Sequence, residues 1–308
     1  MVGRNHLAIW KNSSAFSHRE KNQRIGLTAY RYCCFVAIFL CCYICNGQTS
    51  QKPLTDFKQP VNALCGINLQ GRASGSLGED LANRYVWENL NKGSKKEKLS
   101  YSFTVQGKTL KSEMVTAFVD RKSSKTILVG AHIDHLGLGG ELSKSPGKNE
   151  VHPGADDNAS GVAMLIELHN YFTEHSSTCN LLFVAYTGHE LGLYGSEHLS
   201  KHWKKRWKNL YQVYNFDMIG RMDTLQPKLL YSSNSDVNLM NSSKSFQLTK
   251  ESSQRCEILD TKHFLSVPCY TFTTGTHSDY HKISDLPEYL NYQGLCDQFQ
   301  FYCDQLAH

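Results

Sequence analysis

Acidic residues and histidines follow several apolar, strand-length segments at the point where each segment ends. They lie in His132-Ile133-Asp134, His189-Glu190, Asn215-Phe216-Asp217 and Asp279-Tyr280-His281. A further pair of acids, Asp156 and Asp157, opens a predicted helix between the first two segments. Buried carboxylates and imidazoles cost desolvation energy unless a cation compensates them. This recurrence therefore predicts a site that binds cations.

Several other kinds of active site are excluded by their missing motifs. The sequence has no G-x-S-x-G nucleophile elbow, no G-x-G-x-x-G and no P-loop. His189-Glu190 begins like the zincin motif H-E-x-x-H, but Leu193 stands at its fifth position. Imidazoles and carboxylates at strand ends instead suit a pair of divalent ions, and zinc favours this mixture of ligands. Such a pair shares a bridging carboxylate and lowers the pKa of water to about 7.

The elements that must position these residues form an alternating pattern. Apolar runs predict strands at 101–105, 114–119, 126–130, 181–186, 213–218, 228–231 and 268–272. Helical periodicity follows the Gly/Ser-rich segment 71–78 and recurs at 160–172, 196–207 and 235–248, whereas 92–98 is predicted to be a charged loop. The alternation indicates an α/β fold, a three-layer sandwich with a mostly parallel mixed sheet flanked by helices. In such sheets the functional groups gather at the carboxyl ends of the strands.

The ordered set of motifs resembles the co-catalytic zinc exopeptidases of metallopeptidase family 28, of the secreted bacterial aminopeptidase type. Glutamate carboxypeptidases and glutaminyl cyclases are relatives of that family. The resemblance covers roughly residues 71–294, and the motifs occur in the family's order. It implies the phosphorylase/hydrolase-like fold of the zinc exopeptidases and two co-catalytic zinc ions.

The resemblance also implies which residues bind the metal ions. One zinc ion would be held by His132, Asp217 and the bridging Asp157. The other would be held by Glu190, His281 and the same Asp157. One of these elements alone is a weak signal, whereas the complete set in this order is specific.

Two further implications concern residues beside the ligands. Asp134 would hydrogen-bond the far nitrogen of His132 and fix its tautomer. The cis peptide bond that the family has after its bridging aspartate would be the Asp157–Asn158 bond here.

His189 marks a departure from the family, which carries two consecutive glutamates where this chain has His189-Glu190. The first of the family's glutamates is the general base. An imidazole with a pKa near 6.5 can accept and return a proton at neutral pH, so we expect His189 to be the catalytic base, with Asp134 supporting the site. The alternative is that the base is lost and the site is slow or only binds metal.

The net charge of +5 is confined to the N-terminal segment. Six of the 33 basic and one of the 28 acidic residues lie in 1–32, which leaves 27 of each in the remainder. This balance argues against a nucleic-acid partner. A run of thirteen apolar residues at 33–45 has signal-peptide length and is short for a membrane-spanning helix. We therefore expect a leader at 1–47, one catalytic domain at 48–308 and a secreted or periplasmic protein, membrane-anchored only if the leader is uncleaved.

Six of the eleven cysteines lie outside the apolar leader run, and an even number in an exported chain permits disulfides. No C-x-x-C occurs among these six, which argues against a thiolate zinc site.

These observations and the resemblance together imply a zinc metallopeptidase, and most simply an aminopeptidase that removes N-terminal residues from peptides or proteins. Three alternatives stay open at this point. The chain could be an impaired homologue that binds metal and peptide, a carboxypeptidase with Arg221 near the substrate C-terminus, or a glutaminyl-cyclase-like enzyme. The full ligand set argues against a cyclase, which would need only one metal ion.

Overall fold

The computed structural model describes residues 54–147, 149–207, 209–239 and 242–308. Its helices are α1 (Leu54–Leu64), α2 (Leu77–Asn89), α3 (Gly161–Glu174), α4 (Tyr194–Arg206), α5 (Gln254–Ile258) and α6 (Tyr292–Ala307). Its strands are β1 (Lys95–Val105), β2 (Lys108–Val119), β3 (Thr126–His132), β4 (Asn180–Tyr186), β5 (Leu210–Phe216), β6 (Lys228–Ser233), β7 (Gln247–Lys250) and β8 (Cys269–Thr273). Short helical turns span Ile67–Arg72, Ala155–Ser160, Asp260–Phe264 and Pro287–Tyr289. The predicted leader at 1–47 lies outside the described residues.

The strands form one mixed sheet in the order β1-β2-β4-β3-β5-β8-β6-β7. The pairs β3/β4, β3/β5, β5/β8 and β6/β7 are parallel, and the other three pairs are antiparallel. The predicted three-layer α/β fold with a mostly parallel mixed sheet is therefore confirmed. The four neighbouring strands β4, β3, β5 and β8 run in one direction, so their carboxyl ends meet at one edge.

Two apolar cores cover the two faces of the sheet. Alternate residues of each central strand enter opposite cores, as Ile127 and Leu128 of β3 show. Helices α1, α2, α3 and α6 bury one face, with Val162 among the residues of that core. Helices α4 and α5 bury the other face, where Leu199 and Trp203 pack. Because β3 and β4 are buried along their whole length, the site at their ends rests on rigid elements.

Two of the sequence-based predictions about elements are wrong. The predicted helix at 235–248 is absent from its described part, and the unpredicted strand β7 begins at Gln247. Side chains there bond to nearby backbone, since Ser235 Oγ accepts from the amide of Val237, and such local bonds compete with a helix. The charged segment 92–98 is also not all loop, because β1 begins at Lys95. As β1 is an edge strand, charged side chains are tolerated on it.

The buried side chain of Arg72 connects the N-terminal part of the fold to the loops at the sheet edge by hydrogen bonds. Its side chain is only 1% exposed. Its guanidinium donates hydrogen bonds to the backbone carbonyls of Leu64 (2.7 Å), Ile133 (2.9 Å), Pro153 (2.7 Å) and Gly154 (3.1 Å). A buried cation is stable only when such groups replace its water. Arg72 therefore joins the end of α1 to the residues after β3 and to the loop before Ala155–Ser160.

Within the described residues, no helix has the length and apolar character required to cross a membrane. The six cysteines there are all free thiols, so none of the permitted disulfides is formed in this part of the chain. Five of the six are buried.

Helix α2 begins at a hydrogen-bonded group that contains a buried glutamate. Ser76 caps the helix by accepting from the amide of Glu79. The Glu79 carboxyl accepts from the Gly75 amide (2.9 Å) and from the Ser112 hydroxyl of β2 (2.8 Å). Burial, together with the nearby charge of Asp134, raises the pKa of Glu79 from 4.5 to about 8.

The substitution Glu79→Gln should therefore remove the part of the pH dependence of the unfolding free energy that arises from this carboxyl. Because the pKa is higher in the folded state, the stabilisation is complete below pH 4.5 and is lost as the pH rises through about 8. In this window the wild type should lose up to about 1.4 kcal/mol of unfolding free energy per pH unit relative to the variant. Denaturant unfolding across the window measures this, with exposed Glu288→Gln as control. Parallel curves for wild type and Glu79→Gln would contradict the assignment.

Candidate functional site

The five predicted ligands come together at the carboxyl edge of the parallel strands. His132 ends β3, Asp217 follows β5, and Glu190 lies in the turn after β4. Asp157 lies in the Ala155–Ser160 turn that opens α3, and His281 lies in the loop after β8. Four of the five are buried and Glu190 is nearly so.

Asp157 lies at the centre of this group and presents its two oxygens to different histidines. Its Oδ1 is 3.3 Å from His132 Nε2, and its Oδ2 is 3.2 Å from His281 Nε2. On the first side, His132 Nε2 is also 3.9 Å from Asp217 Oδ1. On the second side, His281 Nε2 is 3.4 Å from Glu190 Oε2. This is the division into two sets around a shared carboxylate that the resemblance implies.

Backbone carbonyls determine which nitrogen of each histidine faces the carboxylates. The Nδ1–H of His132 donates to the carbonyl of Asp134 (3.1 Å), and that of His281 donates to the carbonyl of Leu142 (3.0 Å). In the neutral ring, Nε2 then carries a lone pair directed at Asp157. A lone pair facing a carboxylate is repulsive unless a cation lies between them. The same use of Nδ1 is usual for histidines that bind a metal ion.

The electrostatics of the site favour positive charge between ionised carboxylates. Burial alone would raise the pKa of Asp157, but the adjacent imidazoles of His132 and His281 hold it well below its usual value. Burial and Asp157 would raise the pKa of Glu190, yet His135 and His281 lower it to about 2. Burial lowers the pKa of His281, but Asp157 and Glu190 outweigh it and raise that pKa to about 10.

The donor set fits divalent zinc. Each side offers one imidazole nitrogen and carboxylate oxygens, and His132, Asp157 and Glu190 have ligand atoms within 4.8 Å of one another. The nitrogen–oxygen distances of 3.2–3.4 Å agree with the roughly 3.3 Å expected between ligands of a tetrahedral ion with bonds of about 2.0–2.1 Å. The buried Nε2 of His132 has no hydrogen-bond partner within the described residues.

His189 also approaches this group, since its ligand atom lies within 4.8 Å of those of His132 and Asp217. Its ring stacks on that of His132, with centroids 3.7 Å apart and planes inclined by 8°. The lone pairs of parallel rings run side by side and do not converge on an ion about 2.0–2.1 Å from each nitrogen. We therefore exclude His189 from the ligand set.

The loop that carries Asp157 is held from both sides. The Asp157–Asn158 peptide bond is cis, which confirms the prediction from the resemblance. Asp285 Oδ2 accepts from the amides of Asp156 (2.9 Å) and Asp157 (3.0 Å). Asn158 donates to the carbonyl of Phe216 (2.8 Å), which joins this loop to the end of β5 where Asp217 follows.

Asp134 is at the site, but its carboxylate does not contact the far nitrogen of His132 as predicted. The backbone carbonyl of Asp134 accepts that bond instead. Its carboxylate accepts from the amides of His189 and Glu190, both at 3.1 Å, and from the hydroxyl of Ser74 (2.6 Å). The difference arises because two backbone amides of a tight turn compensate a buried carboxylate well. Asp134 therefore positions the turn that carries His189 and Glu190.

Two side-chain contacts of the site were not predicted from the sequence. His189 Nδ1 is 2.7 Å from the buried Oδ2 of Asp260, which is 71 residues further along the chain. Burial and His132 lower the pKa of His189, but Asp260 outweighs them and raises it to about 9. His135 Nδ1 is 3.0 Å from Glu190 Oε1, so this histidine orients a predicted ligand. No local spacing relates either pair, and only the fold brings them together.

Arg221 lies near the site but its charge is already paired. Its Nη2 is 2.9 Å from Asp279 Oδ2 and 3.7 Å from Asp285 Oδ1. The guanidinium also lies over the ring of Tyr289. Arg221 therefore does not support a carboxypeptidase, because its guanidinium is paired with the protein's own acids and is not free to bind a substrate carboxylate.

Residues 114–302 match the model of peptidase family M28, and the chain belongs to this family. A probable leucine aminopeptidase of Arthroderma otae is 32% identical over 145 residues, which cover 45% of this chain and 36% of that protein. The match thus spans about a third of the curated relative's length. The family implies zinc, in agreement with the group of buried histidines and carboxylates.

Solved structures with this fold include two proteins of Bacteroides thetaiotaomicron. One is a leucine aminopeptidase precursor, with 14% identity and a TM-score of 0.72, matched over 85% of this chain and 99% of that one. The other is a glutaminyl cyclase, with 15% identity and the same TM-score and coverage. At these identities the likeness establishes the fold, and the activity must be argued from the site.

Asp157→Asn should weaken zinc binding on both sides of the site, because each oxygen of Asp157 faces a different histidine. Removal of a residue that only orients a metal ligand lowers metal affinity roughly 10–100-fold, and the loss of zinc affinity here should be larger. Zinc content after dialysis, and the rise of Tm on adding zinc, measure this. Exposed Asp120→Asn is the matched control. Wild-type zinc content in Asp157→Asn would contradict the bridging role.

Proposed function

We propose that the chain is an exported zinc-dependent exopeptidase, and specifically an aminopeptidase that hydrolyses the first peptide bond of peptides or proteins. The observation that carries the proposal is Asp157 with its two oxygens facing His132 and His281. Family membership and the family's aminopeptidases support it. The placement of the five ligand candidates at one edge of the sheet also supports it.

The proposed ligands divide into two sets. His132 and Asp217 would hold one zinc ion, Glu190 and His281 would hold the other, and Asp157 would contact both. When bound, such a pair polarises the substrate carbonyl and lowers the pKa of water. The chain's own task is to present these side chains rigidly, which the buried strands β3 and β4 and the buried carboxyl end of β5 achieve.

His189 is the proposed general base. Its Nδ1–H donates to Asp260, so Nε2 is the nitrogen that is available for proton transfer. Burial lowers the pKa of His189 but Asp260 raises it to about 9, so the ring acts as a base in the neutral form that grows as the pH rises. In that form Nε2 would take a proton from the attacking water and return it to the nitrogen of the leaving peptide. The ring's position above His132 holds that nitrogen beside the proposed ligands.

Arg221, a cation near the site, is not available to a substrate carboxylate. The zinc ions would neutralise the carboxylates that hold them, so the ligand set itself attracts neither end of a peptide. Arg221 is already paired with Asp279 and Asp285, and a substrate with a free carboxyl terminus therefore meets no unpaired cation among these residues. This is the basis for proposing an aminopeptidase before a carboxypeptidase.

Full-length protein loaded with zinc should shorten peptides from the amino end. Mass spectrometry of peptides with a free or acetylated N-terminus, each with a free or amidated C-terminus, measures this. We expect trimming of both free-amine peptides, none of the acetylated ones, and loss of all activity with a chelator.

Other outcomes would identify the alternatives. Loss of ammonia from a peptide with N-terminal glutamine would indicate a cyclase, and trimming from the other end would indicate a carboxypeptidase. Stoichiometric zinc without turnover of any peptide would indicate an impaired homologue that only binds its ligands.

The role of His189 predicts that His189→Gln loses most activity while it keeps its metal. Loss of a general base lowers kcat by about 10²–10⁴-fold. Since His189 is outside the proposed ligand set, the zinc content should equal that of the wild type. Steady-state kinetics and metal analysis of the same samples check both points. Unchanged kcat would rule out His189 as the base.

A further inference from the structure

Asp260 is a buried acid that the ligand set does not explain. It begins the Asp260–Phe264 turn between α5 and β8 and is 1% exposed. Its Oδ2 accepts the Nδ1–H of His189 at 2.7 Å. A carboxylate removed from water in this way is costly unless its partner is well placed. The pair is therefore a specific feature of the site and not an incidental surface contact.

The turn that carries Asp260 is fixed by its own hydrogen bonds. The hydroxyl of the adjacent Thr261 is buried, donates to the carbonyl of Cys256 (3.1 Å) and is 3.0 Å from the hydroxyl of Thr271 on β8. Asp260 is thus held by contacts to α5 and β8, whereas His189 lies in the turn after β4. A group held in this way can set the orientation of the ring that it contacts.

His189 needs such a partner for a chemical reason. A glutamate, which the family carries at this position, has two equivalent oxygens and no tautomers. An imidazole has two different nitrogens, and only the one without a proton can accept one. A histidine in this place therefore serves as a base only if another group selects the tautomer and fixes the ring.

We propose that Asp260 is the positioning residue for His189. It keeps the hydrogen on Nδ1 and the lone pair on Nε2, and it holds the ring parallel to that of His132. The inference rests on the proposed function, and it adds a residue that acts through His189 and contacts neither substrate nor metal. It also supplies what a histidine requires in this place, since the imidazole is accompanied by an acid that directs it.

Asp260→Asn tests the proposal, because the amide is isosteric but can donate to Nδ1 and so stabilise the opposite tautomer. The equivalent change in a Ser-His-Asp triad lowers kcat about 10⁴-fold through the wrong tautomer. We expect kcat to fall by about 10²–10⁴-fold with KM and zinc content unchanged. Glu79→Gln is the matched control, since it converts another buried carboxyl to an amide away from the imidazoles.

A double-mutant cycle separates positioning from a structural role. If Asp260 acts only through His189, the variant His189→Gln/Asp260→Asn should have the kcat of His189→Gln alone. If Asp260 merely stabilises the fold, the two losses should multiply. Multiplying losses, or wild-type kcat in Asp260→Asn, would overturn the proposal.

Nitrogen NMR of zinc-loaded protein with labelled histidine reads the tautomer without any assay, and His189→Gln identifies the signals. In spectra recorded above pH 9, where the ring is neutral, the wild type should show a hydrogen on Nδ1 of His189 and none on Nε2. The opposite pattern would overturn the proposal even if Asp260→Asn failed to fold. If the wild type cleaves no peptide, the proposed function fails, while this measurement still decides whether Asp260 selects the tautomer.

Discussion

Two histidines direct a ring nitrogen at the same buried carboxylate, Asp157. His132 and His281 both commit Nδ1–H to backbone carbonyls, so each directs Nε2 at an oxygen of Asp157. In the neutral rings these nitrogens carry lone pairs, and the arrangement is stable only with positive charge between the atoms, either a metal cation or a proton on Nε2. This need for positive charge explains why so many acids are tolerated at one buried edge.

The rest of the fold keeps these atoms in place. Four parallel strands bring their ends to one edge, and both faces of the sheet are sealed by apolar cores. The loops are then fixed by buried polar side chains. Asp134 and Asp285 accept from backbone amides of neighbouring loops, and Asn158 donates to the last carbonyl of β5. Rigid strands set the approximate positions, and these side chains set the final ones.

The sequence was sufficient for what depends on local pattern. Apolar runs located seven of the strands, and the motifs shared with the family indicated the five ligand candidates, each of which lies at a strand end, in a loop after a strand or at the start of a helix. It was insufficient where distant segments meet. Asp260 reaches His189 across 71 residues, and nothing in its neighbourhood marks it. The short strand β7 was missed because the segment before it is rich in serine, and serine side chains there bond to nearby backbone without any strand or helix periodicity.

The family match begins at residue 114, yet Arg72 and Ser74 lie before it and contact the site's framework. Arg72 holds the carbonyls of Pro153 and Gly154 just ahead of Asp157, and Ser74 bonds to Asp134. The extent of recognisable sequence is therefore smaller than the cooperative unit that shapes the site. A fragment cut to the matched region would therefore lack the hydrogen bonds from Arg72 and Ser74 that hold the loops of the site.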